Sequence, residues 1–343
     1  MRRAAVRMFL LLALVAIAAA AFGWQRLNQP WQGYEGDVVV EIPPGDGTRE
    51  IVDRLVETGV LRDRSLALAW LYFSPDRGRL QAGEYLFDRP LSAPDVFTRL
   101  AEGRVRLYTL TVPEGFRVDQ VAGRWEESGF GARQEFLDAA EAALPLAREI
   151  NPEAPSIEGY LFPETYSFPR GTTATTAVQA MIRTFREAIA RLEEEVPRSE
   201  WPLDLEDTLV LASLIESEVA VPDERTLVAS VFANRLERNM LLECDPTVVY
   251  ALLQDGSYRG RLLRVDLSFD SPYNTYRYPG LPPGAISNPG FDSLRAAVQP
   301  ADTDYIFFVR TEGGRHTFSR TLAEHNQAVA AYRRMANQTA TAN

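Results

Sequence analysis

Two carboxylates, Glu216 and Glu218, close the segment Leu211-Ala-Ser-Leu-Ile-Glu-Ser-Glu218, whose remaining side chains are apolar or small. On a helix, Glu216 shares a stripe with Leu209, Ala212 and Ser213, while Glu218 lies about 200° away around a 3.6-residue turn. One substrate atom cannot be served comfortably by both. Burial raises a carboxyl pKa, which is what a general acid working near neutral pH requires. The competing reading pairs both with arginines of the next helix, such as Arg225 or Arg235.

A second constellation is Pro272-Tyr-Asn-Thr-Tyr276, followed by Gly280-Leu-Pro-Pro-Gly-Ala-Ile-Ser-Asn288. Aromatic faces beside amides and hydroxyls suit sugars, whose C–H faces stack on rings while their hydroxyls take paired hydrogen bonds. The alternative is a rigid, proline-rich lid with its tyrosines packed into the core.

Other chemistries are excluded by composition. All 36 basic residues are Arg, so lysine-dependent phosphate loops and Schiff-base mechanisms are impossible. One Cys (Cys244) and two His (His316, His325) cannot build a thiolate zinc site or a His-Glu-x-x-His helix, and neither metal nor cofactor is expected. A formal charge of -11 argues against nucleic acid as a partner. With 46% hydrophobic residues in a 343-residue chain, global disorder is excluded and two or three domains are affordable.

The elements that position these residues are read next. Apolar periodicity predicts helices over 208–219 and 222–239, which would carry Glu216, Glu218 and Arg225, and a loop over 271–290 too long for a hairpin turn. Upstream, 37–42 reads as a strand, 48–58 and 64–73 as helices and 83–87 as a strand, a small α/β module. Residues 40–60 align without a gap with 110–130: Pro43, Gly45, Arg54, Glu57 and Gly59 recur as Pro113, Gly115, Arg124, Glu127 and Gly129. This suggests two related strand-turn-helix units, against coincidence of common turn residues. Helices dominate 117–148 and 177–195, a strand is expected at 305–309 and a closing helix at 321–335. At the N-terminus, Arg2, Arg3 and Arg7 precede about 17 uncharged residues from Met8 to Trp24, the lower limit for crossing a bilayer. The arginines orient the N-terminus to the cytoplasm and the body outside. A retained anchor competes with a cleaved signal peptide, for which Ala19 to Ala21 would supply the small residues.

Seven motifs carry a family resemblance: Glu158-Gly-Tyr-Leu-Phe-Pro-Glu-Thr-Tyr166, Ala212-Ser-Leu-Ile-Glu-Ser-Glu218, Val228-Ala-Ser-Val-Phe-Ala-Asn-Arg-Leu236, Asp245-Pro-Thr-Val-Val-Tyr250, Tyr273-Asn-Thr-Tyr276, Gly280-Leu-Pro-Pro-Gly-Ala-Ile286 and His316-Thr-Phe318. In this order they resemble the endolytic murein transglycosylase family, also called MltG or YceG-like. The resemblance implies an α+β protein: an N-terminal transmembrane helix (1–26), a linker (27–36), a LysM-like α/β module (37–107), a connecting strand-helix region (108–150) and a mixed α/β catalytic domain (151–343). It also implies an inner-membrane enzyme with a periplasmic body that cuts nascent peptidoglycan glycan strands, working near peptidoglycan synthases of the penicillin-binding class. Glu216 matches the family's catalytic glutamate. Glu164 stands where the family pattern has Asp. Tyr273, Asn274, Thr275 and Tyr276 are candidates for holding the sugar, with His316, Glu164 and Asp245 as further polar contacts. A muramidase would need a second carboxylate, for which Glu164 or Asp245 could serve; a non-catalytic peptidoglycan-binding scaffold would need none.

Overall fold

The computed structural model describes residues 2–342. The chain divides into two compact units, Met1–Tyr108 with Ser167–Gly171, and Thr109–Tyr166 with Thr172–Asn343.

The first unit opens with helix α1 (Arg2–Asn28), whose segment Ala5–Asn28 has a mean hydropathy of 2.4. Its Phe9, Leu10, Leu12 and Ile17 are exposed, and the helix is long and apolar enough to cross a membrane. There follow β1 (Val38–Ile42), α2 (Thr48–Glu57), α3 (Arg64–Phe73), β2 (Gly83–Phe87) and α4 (Ala93–Ala101). Strands β1 and β2 pair antiparallel, Val38 opposite Phe87 and Ile42 opposite Gly83. Ile51, Val52 and Leu55 from α2 pack with Tyr85, Phe87, Val96, Phe97 and Leu100 into one core. Asp63 and Ser92 cap α3 and α4 through the backbone N–H groups of Leu66 and Asp95.

Strands β3 (Leu107–Thr111) and β4 (Thr165–Pro169) form a two-stranded sheet. The second unit contains α5 (Val118–Glu127), α6 (Arg133–Ala142), α7 (Leu144–Arg148), α8 (Ala174–Glu195), α9 (Leu205–Glu218), α10 (Arg225–Glu237), α11 (Asp245–Asp255), α12 (Phe291–Val298), β5 (Phe307–Arg310), β6 (His316–Ser319) and α13 (Leu322–Ala342). Helix α9 is buried on every side, against α10, α11 and α12. The strand expected at 305–309 is β5; it is half-buried, and among the described residues it pairs only with the short β6.

The repeat is present in the backbone. Helices α2 and α5 begin from N-caps Gly47 and Arg117, with ψ 162° at both, and end at Thr58 and Ser128, with ψ -1° at both. The turn glycines take the left-handed conformation in both copies, Gly45 (φ 94°) with Gly115 (φ 75°) and Gly59 (φ 76°) with Gly129 (φ 74°). Buried Ile51, Val52 and Leu55 correspond to buried Val121, Ala122 and Trp125.

Residues 269–290 have neither helix nor strand, yet Asn274, Thr275, Ser287 and Asn288 are buried within them. Such a loop satisfies its backbone through side chains. Asn288 reaches two segments at once: its Oδ1 accepts from the N–H groups of Gly159 (3.0 Å) and Leu161 (2.9 Å), and its Nδ2 donates to the Phe116 carbonyl (2.7 Å) and to Glu158 Oε1 (3.3 Å).

Glu158 is itself buried, and desolvation pushes its pKa up to about 8 despite the Val118 N–H it accepts; Glu218 is pushed up to about 7, again chiefly by burial. Both bind protons more tightly folded than unfolded, so their contribution is fully present below the ordinary glutamate range and is lost as pH rises through about 7 to 8. Stability is therefore expected to fall between about pH 5 and pH 8, and Glu158→Gln to flatten the fall. Chemical unfolding at stepped pH reads it; an unchanged slope in the variant would contradict the assignment.

Candidate functional site

Helix α9 starts at Asp204, whose carboxylate accepts from the Asp207 N–H (2.9 Å), and runs through Leu209, Val210, Leu211, Ala212, Leu214 and Ile215, all essentially inaccessible. A helix apolar all round must be central, and its last turn is where it meets solvent. Glu216 sits there with its side chain 7% exposed. A carboxylate at a helix C-terminus faces the negative end of the dipole and needs donors from elsewhere. Two are supplied. The Gly290 N–H, at the start of α12, donates to Glu216 Oε2 (3.0 Å), and Arg225 Nη2, at the start of α10, approaches Oε1 at 3.5 Å.

A second carboxylate shares that guanidinium: Arg225 Nη2 lies 3.1 Å from Glu114 Oε2, and Arg225 Nε donates to Ser293 Oγ (3.1 Å). Glu114 belongs to the Pro113-Glu-Gly115 turn. Gly115 donates its N–H to the Asn288 carbonyl (2.9 Å), and the Asn288 N–H donates to the Phe116 carbonyl (2.9 Å), so the turn and the 288–290 segment are laced together beside Glu216. Gly290 is required by this contact, since a Cβ there would fall 1.9 Å from Glu114 Oε1. Partial burial and the neighbouring charge of Glu216 raise the Glu114 pKa, with Arg225 opposing. Glu114 opens onto a cleft of about 340 Å³ also lined by Phe162, Glu164, Thr184, Arg191 and Phe291. The sequence reading missed Glu114 and Gly290.

Of the expected site residues, Glu216 and Glu164 flank this region, and the others lie elsewhere. Glu218 points away, as the helical spacing requires, and accepts from the Cys244 thiol (3.3 Å). The arginine-pairing alternative thus holds for Glu216 with Arg225 and fails for Glu218 and Arg235; the Arg235 guanidinium instead serves the carbonyls of Ile306, Leu241 and Leu242 and the Glu243 carboxylate. Asn274 is fully buried: its Nδ2 donates to the Leu267 and Phe269 carbonyls (3.0 and 2.7 Å) and its Oδ1 accepts from the Tyr276 N–H (2.9 Å). Thr275 is buried too, its hydroxyl bonded to the Cys244 N–H (3.0 Å) and to Thr247 (2.9 Å). Tyr273 packs its ring 5.0 Å from that of Tyr250. Asn274 and Thr275 therefore hold the loop together rather than lining a wet wall, because their polar atoms already have protein partners, and Tyr273 is packed by its ring. The Tyr276 hydroxyl donates to exposed Asp245 (2.6 Å), a pair on the Glu218 side of α9. His316 is buried and pinned by Glu224, which accepts from its backbone N–H (3.0 Å) and meets Nδ1 at 2.8 Å.

A carboxylate held by one backbone N–H and one shared guanidinium, next to a second carboxylate that lines a cleft, can give up a proton and take one back. Comparison with known proteins identifies the family of the chain. A sequence model of the YceG-like family matches residues 40–331. An endolytic murein transglycosylase of Bacillus subtilis (strain 168) is 31% identical over 337 residues, 93% of this chain and 91% of that protein. Another, from Streptococcus pneumoniae serotype 2, is 29% identical over 94% of this chain and 65% of its own length. The 2.6 Å crystal structure of a putative YceG-like protein from Listeria monocytogenes superposes with a TM-score of 0.58 at 31% identity, covering 85% of this chain and 99% of that one. By the extent of these matches and the order of its motifs, the chain belongs to the YceG-like family.

Proposed function

We propose that the protein is an endolytic lytic transglycosylase of peptidoglycan, cleaving the β-1,4 bond between N-acetylmuramic acid and N-acetylglucosamine and leaving 1,6-anhydro-muramic ends. The observation that carries this reading is Glu216, a nearly buried carboxylate on the last turn of α9, held by the Gly290 N–H and by Arg225, whose second carboxylate partner, Glu114, lines a cleft. In the first step Glu216 gives its proton to the glycosidic oxygen as the C1–O bond breaks. In the second the muramic C6 hydroxyl bonds to C1 and returns its proton to Glu216, so one group serves as acid and then as base. Because the nucleophile belongs to the substrate, no activated water is required, and intramolecularity gives it a high effective concentration. The relatives named endolytic murein transglycosylases support the substrate class. Mass spectrometry of digested peptidoglycan tests the reading: anhydro-muramic ends are expected, and reducing muramic ends, the product of a hydrolase, would overturn it.

The same proposal places the chain in the inner membrane through α1, N-terminus in the cytoplasm and body in the periplasm, close to peptidoglycan synthases. The span Ala5–Asn28 and the arginines at 2, 3 and 7 support the anchor. The β-α-α-β order of residues 38–87, with its antiparallel strand pair, supports a LysM-like, glycan-binding role for the first unit. Intact-mass analysis of membrane-extracted protein is expected to find the N-terminus in place; a mature chain beginning near Phe22 would overturn the anchor.

A further inference from the structure

We infer that Glu114 is a positioning residue of the site, one that acts through Arg225 to keep Glu216 supplied with its proton at the pH where the enzyme works. The inference rests on the reading of Glu216 as proton donor and goes beyond it. Its basis is geometric: one guanidinium nitrogen, Arg225 Nη2, lies 3.1 Å from Glu114 and 3.5 Å from Glu216, and the Arg225 side chain is 11% exposed, so its charge is poorly screened.

A lone Arg225 beside Glu216 would favour the carboxylate, the wrong form for a donor. Glu114 occupies the same cation and adds a negative charge that opposes ionisation of its neighbour. When Glu216 has given up its proton, Arg225 faces two carboxylates, and the return of the proton from the sugar hydroxyl relieves their repulsion. The groups facing Glu114 from the surrounding elements are Glu216 on α9, Arg225 on α10 and Asp292 on α12, with Glu164, Glu187 and Arg191 around the same cleft. Among the described residues, Arg225 is the one charged group that pairs with both carboxylates. The turn that presents Glu114 is fixed by the Gly115 to Asn288 hydrogen bond and admitted by the missing side chain at Gly290, so the arrangement is built into the backbone.

The sign of the effect follows. A general acid loses activity as pH rises and its proton leaves, which sets the alkaline limb of the pH–rate profile. Glu114→Gln removes the opposing charge, leaves Arg225 unbalanced and moves that limb to lower pH. Arg225→Gln removes the cation and moves it to higher pH. For full-length protein in detergent acting on purified peptidoglycan, Glu114→Gln should lose about tenfold or more in kcat/KM at pH 8 and stay within about threefold of the parent at pH 5. Opposite displacements of the limb in the two variants support the inference. An equal loss at every pH, no loss at any pH, or displacements of the same sign would overturn it. Glu216→Gln run in parallel separates the two levels: if it remains active, the donor assignment fails, whereas if it is inactive at every pH and Glu114→Gln shows no shift, only the role of Glu114 fails.

Discussion

Replacing Glu216 by Gln should abolish glycan cleavage while leaving the fold intact. Glutamine retains an oxygen for the Gly290 N–H, so the junction of α9 with the start of α12 keeps its hydrogen bond. What it cannot do is donate a proton to the leaving oxygen and then recover one. General acid–base catalysis is worth about 10² to 10⁴-fold, and in the proposed mechanism the same group performs both transfers, so a loss at the upper end of that range is expected. Glu218→Gln is the informative control. Burial pushes the Glu218 pKa up to about 7, and its contact is the Cys244 thiol rather than the cleft. It should lose far less. Activity retained in a folded Glu216→Gln protein, measured by release of soluble muropeptides, would remove Glu216 from the site.

What could be read from the chain alone was what periodicity and local chemistry encode. The apolar run ending in Glu216 declared helix α9 and the opposite headings of its two carboxylates; the uncharged stretch after three arginines declared α1; and the matched turn glycines declared a repeat that recurs in the backbone at Gly45 and Gly115. What escaped were contacts made across long sequence separations. Gly290 reaches Glu216 over 74 positions and Arg225 reaches Glu114 over 111, and no local pattern records either. One signal was available: where the first copy of the repeat has Pro43-Pro44-Gly45, the second has Pro113-Glu114-Gly115, a charge placed in an otherwise matching turn. Read from sequence alone, the loop 271–290 stays open between a sugar-binding wall and a packed lid, for a different reason. Tyrosines beside Asn and Thr suit a sugar, but the same amides and hydroxyls also satisfy the backbone of a long buried loop, and Asn274 and Thr275 do the latter. Helices α4, α11 and α12 also went unread; α12 has only eight residues, too few for its period to stand out.

The largest stability effect is expected at Asn288. Its carboxamide is inaccessible and ties its loop to two segments, 158–161 through both Oδ1 and Nδ2, and Phe116 through Nδ2. Asn288→Ala would leave the Gly159 and Leu161 N–H groups buried without a partner, at about 1 to 3 kcal/mol each. The Phe116 carbonyl would keep the backbone N–H of residue 288, so its loss is smaller. A total of a few kcal/mol in a unit of this size corresponds to a fall in Tm on the order of 10 °C. Asn288→Asp should be no milder: it keeps the acceptor but sets an anion against the Phe116 carbonyl and the Glu158 carboxyl. Because the 288–290 segment also carries the N–H that holds Glu216 and lies against the turn of Glu114, activity well below the transition should fall along with stability, unlike in Glu216→Gln, where activity alone is lost. Differential scanning calorimetry with a parallel cleavage assay reads both, and an Asn288→Ala protein melting within about 2 °C of the parent would show that these segments hold together without the carboxamide.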